Sequence, residues 1–220
     1  MASQSSDPHH GQPVLAAGTA LTQAKAAMIL LHGRGATAAS ILTLADEFAV
    51  DGFSYLAPQA ADNAWYPQRF TAPIAANEPY LSSALAQIAA LLAQIAAAGI
   101  SAERTVLLGF SQGACLALEF AARNARHYGG VVGLSGGLIG PEGTDWEYDG
   151  VLDGTAVFLG CSNVDAHIPL ARVHASAQAL TRLGATVDER IYPAMGHTVN
   201  ADEIAAVRGI MQQITRGIDR

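Results

Sequence analysis

The 220-residue sequence is poor in charge and in cysteine: 14% of its residues are Asp, Glu, Lys or Arg, and only two are Cys. Low charge together with a hydrophobic fraction of 50% excludes an intrinsically disordered chain. Cys115 and Cys161 lack zinc-ligand spacing, so we expect two reduced core residues and, by default, a cytoplasmic protein. A net charge of −7 without a basic cluster excludes a nucleic-acid partner.

No apolar run reaches the roughly 18 residues that a membrane-spanning helix needs. The longest apolar segment, residues 84–100, carries Gln87 and Gln94 seven positions apart, which places both amides on one helix face. We therefore expect a packed amphipathic helix and no stable insertion into a membrane.

The first 13 residues, MASQSSDPHHGQP, lack the basic start and apolar run of a secretory signal. We expect residues 1–13 to form a flexible tail. Two histidines in a mobile tail are usually incidental, so no metal site is assigned to His9 and His10. Residues 14–220 are expected to form one domain, because no linker or internal repeat divides them.

From residue 26 onward, short apolar runs alternate with longer segments of helical period. The runs predict strands over residues 26–32, 53–58, 104–110, 129–136, 155–161 and 186–193. The longer segments predict helices over residues 39–50, 79–98, 112–125, 170–183 and 202–215. Strands that alternate with helices in this way indicate an α/β fold, in which a mostly parallel sheet has helices on both faces.

Two segments without a clear period interrupt this alternation. Residues 59–78 contain three aromatics and two prolines, which favours an ordered loop, because long excursions in compact domains are usually functional or disordered. Residues 136–154 are polar, and we expect a solvated loop between two strands.

Ser111 stands between two glycines in GFSQG, residues 109–113, at the junction of a predicted strand and helix. This context matches the nucleophile elbow G-x-S-x-G, whose sharp turn strains the serine backbone and leaves no room for side chains at Gly109 and Gly113. The following helix directs its N–H groups and positive dipole end toward a developing oxyanion. The alternative is a serine in an ordinary glycine-flanked turn.

A serine nucleophile needs a base, and the base needs an acid that orients it. In such folds the chain order is Ser, acid, His, which favours His197 in YPAMGHTVN as the base and Asp165 in GCSNVDAHIP as the acid. Alternatively, His197 is an ordinary histidine of a surface loop, and Asp165 caps the next helix. His167 is a rival base that we place at the rim of the site.

The tetrahedral intermediate of acyl transfer needs two N–H donors. The residue after the nucleophile, Gln112, supplies the first. The loop His32–Gly35 follows the first buried strand, and we assign the second to the backbone N–H of Arg34. The alternative is that His-Gly-x-Gly is only a tight strand-to-helix turn.

The motifs LLHGRG, GFSQGA, GLSGGL, VDAHIP and MGHTV resemble the carboxylesterase and acyl-protein thioesterase group of α/β-hydrolases, over about residues 25–215. The resemblance implies an α/β-hydrolase fold without a large cap domain. It also implies a serine hydrolase that needs no cofactor or metal, with Ser111, Asp165 and His197 as its catalytic triad.

The resemblance further implies an open, shallow acyl groove, and we assign its walls to Trp65, Tyr66 and Phe70. Anchoring of the loop to the core is an equally weighted role for these three aromatics. Family members often carry a small apolar residue where this chain has Arg34. The backbone donor survives that change, and the charged side chain argues against a purely lipid-like substrate.

These features predict a serine carboxylesterase that hydrolyses short- to medium-chain acyl esters of small molecules. The same site in an acyl-thioesterase or a lysophospholipase is the first alternative. A non-catalytic α/β-hydrolase scaffold is the alternative of a different class, although such proteins usually lose a triad member. The sequence leaves open whether the chain forms a homodimer.

Overall fold

The computed structural model describes residues 7–218 of the chain. Its strands are β1 (Val14–Gly18), β2 (Ala26–Leu31), β3 (Phe53–Pro58), β4 (Thr105–Phe110), β5 (Gly130–Leu134), β6 (Ala156–Ser162) and β7 (Thr186–Tyr192). Its α-helices are α1 (Ala38–Leu42), α2 (Leu44–Phe48), α3 (Tyr80–Ala97), α4 (Gln112–Arg123), α5 (Leu170–Arg182) and α6 (Ala201–Ile218). Short 3₁₀ helices cover Ala61–Asn63, Ile74–Asn77 and Ala102–Arg104.

The strands form one sheet in the order β1–β3–β2–β4–β5–β6–β7. β1 pairs antiparallel with β3, and the remaining neighbours pair in parallel. β2 and β3 are buried along their whole length, as continuous apolar runs in a doubly covered parallel sheet should be. The mostly parallel sheet predicted from the sequence is confirmed.

Successive residues of β2 point to opposite faces of the sheet, and each face has its own apolar cluster. Ile29 and Leu31 belong to the cluster that includes residues of α3, α4 and α5. Met28 and Leu30 belong to the cluster that includes residues of α1, α2 and α6. The two helical layers cover the sheet and leave the carboxyl ends of its strands for loops.

α3 is, by length and composition alone, apolar enough to cross a membrane. In the structure it buries Leu81, Ile88 and Ile95 in the core beside the sheet, whereas Gln94 is exposed. This arrangement is that of the predicted amphipathic core helix.

The N-terminal segment differs from the expectation of a flexible tail over residues 1–13. His9 is 2% exposed, and its ring accepts a 3.0 Å hydrogen bond from the Ala61 N–H and donates one of 3.0 Å to the Trp65 carbonyl. Burial of a ring that is bonded on both nitrogens holds this part of the segment against the loop that follows β3. Residues 1–6 lie outside the described part of the chain.

Three further segments differ from their predictions. β1 is not predicted, because its five residues, VLAAG, are few and show no alternation of apolar and polar side chains. The predicted helix 39–50 is two short helices that meet at Thr43, whose hydroxyl donates to the Ser40 carbonyl, and the second ends at the left-handed Ala49. The predicted solvated loop 136–154 is partly core: Leu138 and Ile139 are fully buried.

Candidate active site

The predicted site residues follow three parallel strands of the same half of the sheet, β4, β6 and β7, with β5 between the first two. Ser111 comes directly after β4, Asp165 lies three residues beyond the end of β6, and His197 lies five residues beyond β7. Because these strands are parallel, their carboxyl ends meet at one edge of the sheet, where sites of open α/β folds form. The chain therefore brings the three side chains to the same edge.

Ser111 has the strained backbone that the elbow requires, with φ +54° and ψ −117°. A Cβ on Gly109 would lie 2.1 Å from the carbonyl oxygen of Gly113, and a Cβ on Gly113 would lie 2.1 Å from that of Leu31. Any other residue at either glycine would therefore overlap the backbone. The glycines permit β4, the turn and α4 to pack this tightly.

A series of hydrogen bonds joins the three predicted residues. The Ser111 hydroxyl lies 2.9 Å from Nε2 of His197, and Nδ1 of His197 lies 2.7 Å from Oδ2 of Asp165. The Asp165 side chain is fully buried, whereas that of His197 is 22% exposed. An imidazole held on one side by a buried carboxylate can accept the hydroxyl proton on the other.

Asp165 has hydrogen-bond partners on both carboxylate oxygens, but it does not cap α5, whose N-cap is Pro169 without a side-chain cap bond. While Oδ2 faces His197, Oδ1 accepts hydrogen bonds of 2.8 and 3.1 Å from the backbone N–H groups of His167 and Ile168, just before α5. Burial alone would raise the pKa of Asp165. The hydrogen bonds from His197 and the two N–H groups outweigh it and hold the pKa below its ordinary value of 3.8. The group is an anion at neutral pH.

His167, the rival base, lies at the exposed rim of the site. Its ring centroid is 4.8 Å from that of His197, and the Phe110 ring lies 4.9 Å from His197. His167 thus contacts the His197 ring, and its backbone, rather than its ring, bonds Asp165.

The two predicted oxyanion donors flank Ser111. Gly33 packs against the serine, since a Cβ there would lie 3.4 Å from the Ser111 Cβ, and Arg34 follows it. Among residues 7–218, the backbone N–H groups of Arg34 and Gln112 make no hydrogen bond. Gln112 is also the first residue of α4, so both free N–H groups and a positive helix end are available to a negatively charged oxygen.

The Arg34 side chain holds the neighbouring loop. Its guanidinium donates hydrogen bonds of 2.8, 3.0 and 2.6 Å to the carbonyl oxygens of Tyr66, Pro67 and Gln68. These contacts hold its side chain in the pocket wall and occupy three of its five N–H donors.

The pocket beside Ser111 has a volume of about 440 Å³. Of the aromatics assigned to its wall, Tyr66 and Phe70 line it. Trp65 does not: it is fully buried, donates a 2.8 Å hydrogen bond to the His32 carbonyl and is an anchor of the loop. A second cavity of about 350 Å³ lies on the other side of His197.

Sequence reasoning missed five residues of this pocket, of which Ala36 directly follows the predicted oxyanion loop. Phe110 and Ile168 line it, and both stand next to predicted site residues, so their place in the motifs was a usable signal. Cys115, expected only in the core, also contributes to the lining. Arg69 lines it as well, and the only sign was a charge among the aromatics of NAWYPQRF.

Within residues 7–218, no group of three or more His, Cys, Asp or Glu side chains is placed to hold a metal ion.

The chain is similar to known proteins of one hydrolase family. The model of the phospholipase/carboxylesterase family matches residues 19–214. The structure of a phospholipase/carboxylesterase from Dyadobacter fermentans is 43% identical, with a TM-score of 0.88 over 92% of this chain and 97% of that one. The carboxylesterase of Bacillus cereus, at 18% identity, shares the fold, with a TM-score of 0.72 over 93% of this chain and 95% of that one. The predicted α/β-hydrolase fold is confirmed.

A curated relative gives a partial match. Acyl-protein thioesterase 1 of Gibberella zeae is 32% identical over 126 residues, which are 56% of this chain and 53% of that protein. The match thus spans about half the length of this relative.

Proposed function

Because the chain belongs to the phospholipase/carboxylesterase family of α/β-hydrolases, we propose that it is a serine carboxylesterase acting on short- to medium-chain acyl esters. The observation that carries the proposal is the bonded series of Ser111, His197 and Asp165, with distances of 2.9 and 2.7 Å, at the side of a pocket. We assign these residues as nucleophile, general base and orienting acid.

In the first half of the reaction, Oγ of Ser111 attacks the ester carbonyl while Nε2 of His197 accepts its proton. The Asp165 carboxylate stabilises the imidazolium that forms. The backbone N–H groups of Arg34 and Gln112 hold the negatively charged oxygen, and removing one such donor typically lowers the rate about 10²–10³-fold.

In the second half, the imidazolium gives its proton to the leaving alcohol as the carbon–oxygen bond breaks. Water then attacks the acyl-enzyme, His197 accepts a proton from it, and the acid leaves while Ser111 regains its proton. No redox step or cofactor enters this sequence.

The size of the site supports short or medium acyl groups. A cavity of about 440 Å³ falls within the range of about 300–1,000 Å³ that small ligands occupy. Tyr66 and Phe70 bound it, and the loop that carries them adds only short 3₁₀ helices over the sheet edge within the described chain. We expect turnover to be highest for acyl chains that are shorter than the long chains of triglycerides.

A thioester is the second candidate substrate, because the Gibberella zeae relative carries the name of an acyl-protein thioesterase. The same nucleophile and oxyanion donors could act on a thioester and also on a lysophospholipid. Matched butyryl esters and butyryl thioesters measured side by side separate the ester from the thioester activity.

Fluorophosphonate labelling tests the proposal and separates it from a non-catalytic scaffold. Intact-mass spectrometry should show one adduct on the wild type and none on Ser111→Ala. Ser40→Ala is a matched control, because Ser40 is exposed in the second cavity beside His197 and should label fully after substitution. An unlabelled wild type would indicate a scaffold.

We also propose a cytoplasmic location, which the two free, buried cysteines favour.

A further inference from the structure

Arg69 is an arginine without a partner in the pocket that contains Ser111. It is exposed and lines the cavity. Across residues 7–218, its guanidinium makes no hydrogen bond, ion pair or aromatic contact. Arg34 and Arg172, by contrast, each donate to three backbone carbonyls. Arg216, in the last turn of α6, is the other arginine of the described chain without a partner.

The backbone at Arg69 is fixed, although its side chain is free. Asn77 is fully buried; its Oδ1 accepts a 2.8 Å hydrogen bond from the Gln68 N–H, and its Nδ2 donates one of 3.3 Å to the Arg69 carbonyl. The Phe70 carbonyl accepts a 2.9 Å bond from the Gly140 N–H. Such a support fixes the point on the rim from which the side chain extends, so that only the side chain itself is ordered when a ligand binds there.

The charge of the pocket is uncompensated. Among the described residues that line it, Arg34 and Arg69 are cationic and none is Asp or Glu. Two acids lie near the lining residues: Asp165 is fully buried and bonded to His197 and two backbone N–H groups, and Glu119 is 1% exposed and paired with an arginine of α4 at 2.7 Å. In a chain of net charge −7, a cationic pocket is a local exception that attracts anions.

The rest of the wall is largely apolar. Tyr66, Phe70 and Ile168 line the same cavity as the guanidinium. A pocket of this kind fits a chain that is apolar near the scissile bond and anionic farther along. Arginine suits a carboxylate in particular, because its planar fork can donate two parallel hydrogen bonds.

We propose, on the premise of the esterase function above, that the preferred acyl group ends in a carboxylate that Arg69 binds. The substrates would then be half-esters of dicarboxylic acids. Hydrolysis of such a half-ester by Ser111 releases the alcohol and the free dicarboxylate, with water as the only co-reactant.

The test compares monomethyl half-esters of succinic, glutaric, adipic and suberic acids with methyl esters of neutral acids of equal chain length. Hydrolysis is followed by proton release, and the readout is the ratio of kcat/KM for the half-ester to that for its neutral match. In the wild type the ratio should exceed one and peak at one chain length. At that length, Arg69→Gln should lower the ratio about tenfold, the loss expected for a charge-assisted hydrogen bond.

Two variants test whether the positive charge of Arg69 causes the preference for half-esters. Arg69→Lys keeps the positive charge without the fork and should retain part of the preference, and Arg216→Gln should leave the ratio at its wild-type value. Added NaCl should lower the wild-type ratio, because salt screens an exposed pair.

A wild-type ratio at or below one at every length, or equal losses on both substrates in Arg69→Gln, would overturn the role of Arg69 and leave the esterase intact. Failure of the proposed function has a different signature: no hydrolysis of either ester, or hydrolysis that survives in Ser111→Ala.

Discussion

The side-chain amide of Gln112 binds the backbone of Trp65, whose N–H donates a 2.9 Å hydrogen bond to Oε1. The Nε2 group of the same amide donates a 2.8 Å bond to the Tyr66 carbonyl. The residue after the proposed nucleophile therefore holds the loop that walls the pocket, and it does so with its side chain while its backbone N–H stays free for the oxyanion.

Gln112→Ala tests this clamp, because the variant keeps the backbone donor and loses the amide. The Trp65 N–H would lose its buried partner, whereas the Tyr66 carbonyl keeps its hydrogen bond from Arg34, so we expect the free energy of unfolding to fall by about 1–3 kcal/mol. The kcat/KM for p-nitrophenyl butyrate should also fall, as the pocket wall loosens. Gln178→Ala, at an exposed position of α5, should change stability by less than about 0.5 kcal/mol. Equal free energies of unfolding in urea for both variants would show that the hydrogen bonds of the Gln112 side chain do not stabilise the protein.

The elbow glycines give a prediction with an internal control. Gly113→Ala places a Cβ 2.1 Å from the Leu31 carbonyl oxygen, an overlap with backbone that cannot be relieved by a side-chain rotation. We expect this variant to lose more than about 4 kcal/mol or to fail to fold. Gly209→Ala, where nothing lies within 4 Å, should gain about 0.5–1 kcal/mol, because it removes a glycine from the interior of α6.

Thermal unfolding by circular dichroism measures both glycine variants. A folded Gly113→Ala of wild-type stability would contradict the tight packing of α4 on the end of β2.

Asp165→Asn tests the orienting acid. Its amide can still accept the N–H groups of His167 and Ile168, but its NH₂ would face Nδ1 of His197 and favour the wrong tautomer. We expect kcat to fall about 10³–10⁴-fold. Because hydrogen bonds hold the Asp165 pKa below 3.8, the loss should be similar at every pH from about 6 to 9. Steady-state rates within tenfold of the wild type would remove Asp165 from the mechanism.

His9 makes folding stability depend on pH. Burial lowers its pKa below the ordinary value of 6.5, so the unfolded chain takes up a proton as the pH falls through that value while the folded chain does not. The unfolded state then binds more protons, and stability falls toward acid. His9→Gln should therefore lose less stability than the wild type between pH 7.5 and pH 5, by up to about 2 kcal/mol.

Only the difference between matched proteins is informative for His9, because other groups titrate too. Burial also lowers the pKa of His32, whereas burial raises that of Glu203 to about 7, which opposes the histidines. His10→Gln, at a neighbouring side chain that is 85% exposed, is the matched control for the substitution itself. Denaturant unfolding with parallel curves for His9→Gln and the wild type would contradict the role of His9.

The parts of the site that sequence could predict are those fixed by local rules. The elbow at Ser111 follows from two glycines and a strand-to-helix junction, and the places of Asp165 and His197 follow from chain order and the meeting of strand ends. The α/β alternation follows from apolar runs separated by helical periods. Each of these depends on neighbours in the chain or on a general property of parallel sheets.

The features that sequence could not predict depend on contacts between distant segments. His9 is buried because the loop after β3 supplies a hydrogen-bond donor and an acceptor for its ring. The residues next to His9 in the sequence give no indication of that contact. Trp65 is an anchor because its ring packs on that of His32, and Leu138 is buried in the core cluster that residues of α5 share, where Arg172 donates to its carbonyl. The sequence pattern of an aromatic residue, or of a polar loop, is the same whether the segment faces a pocket or the core.

The central claim is that Ser111, bonded to His197, is the nucleophile of an esterase. The most direct test is hydrolysis of p-nitrophenyl butyrate by the wild type and by Ser111→Ala, at equal concentration and with equal folding verified by circular dichroism. We predict turnover by the wild type and a loss of at least about 10³-fold in the variant. Equal turnover in both proteins, or none in either, would contradict the account.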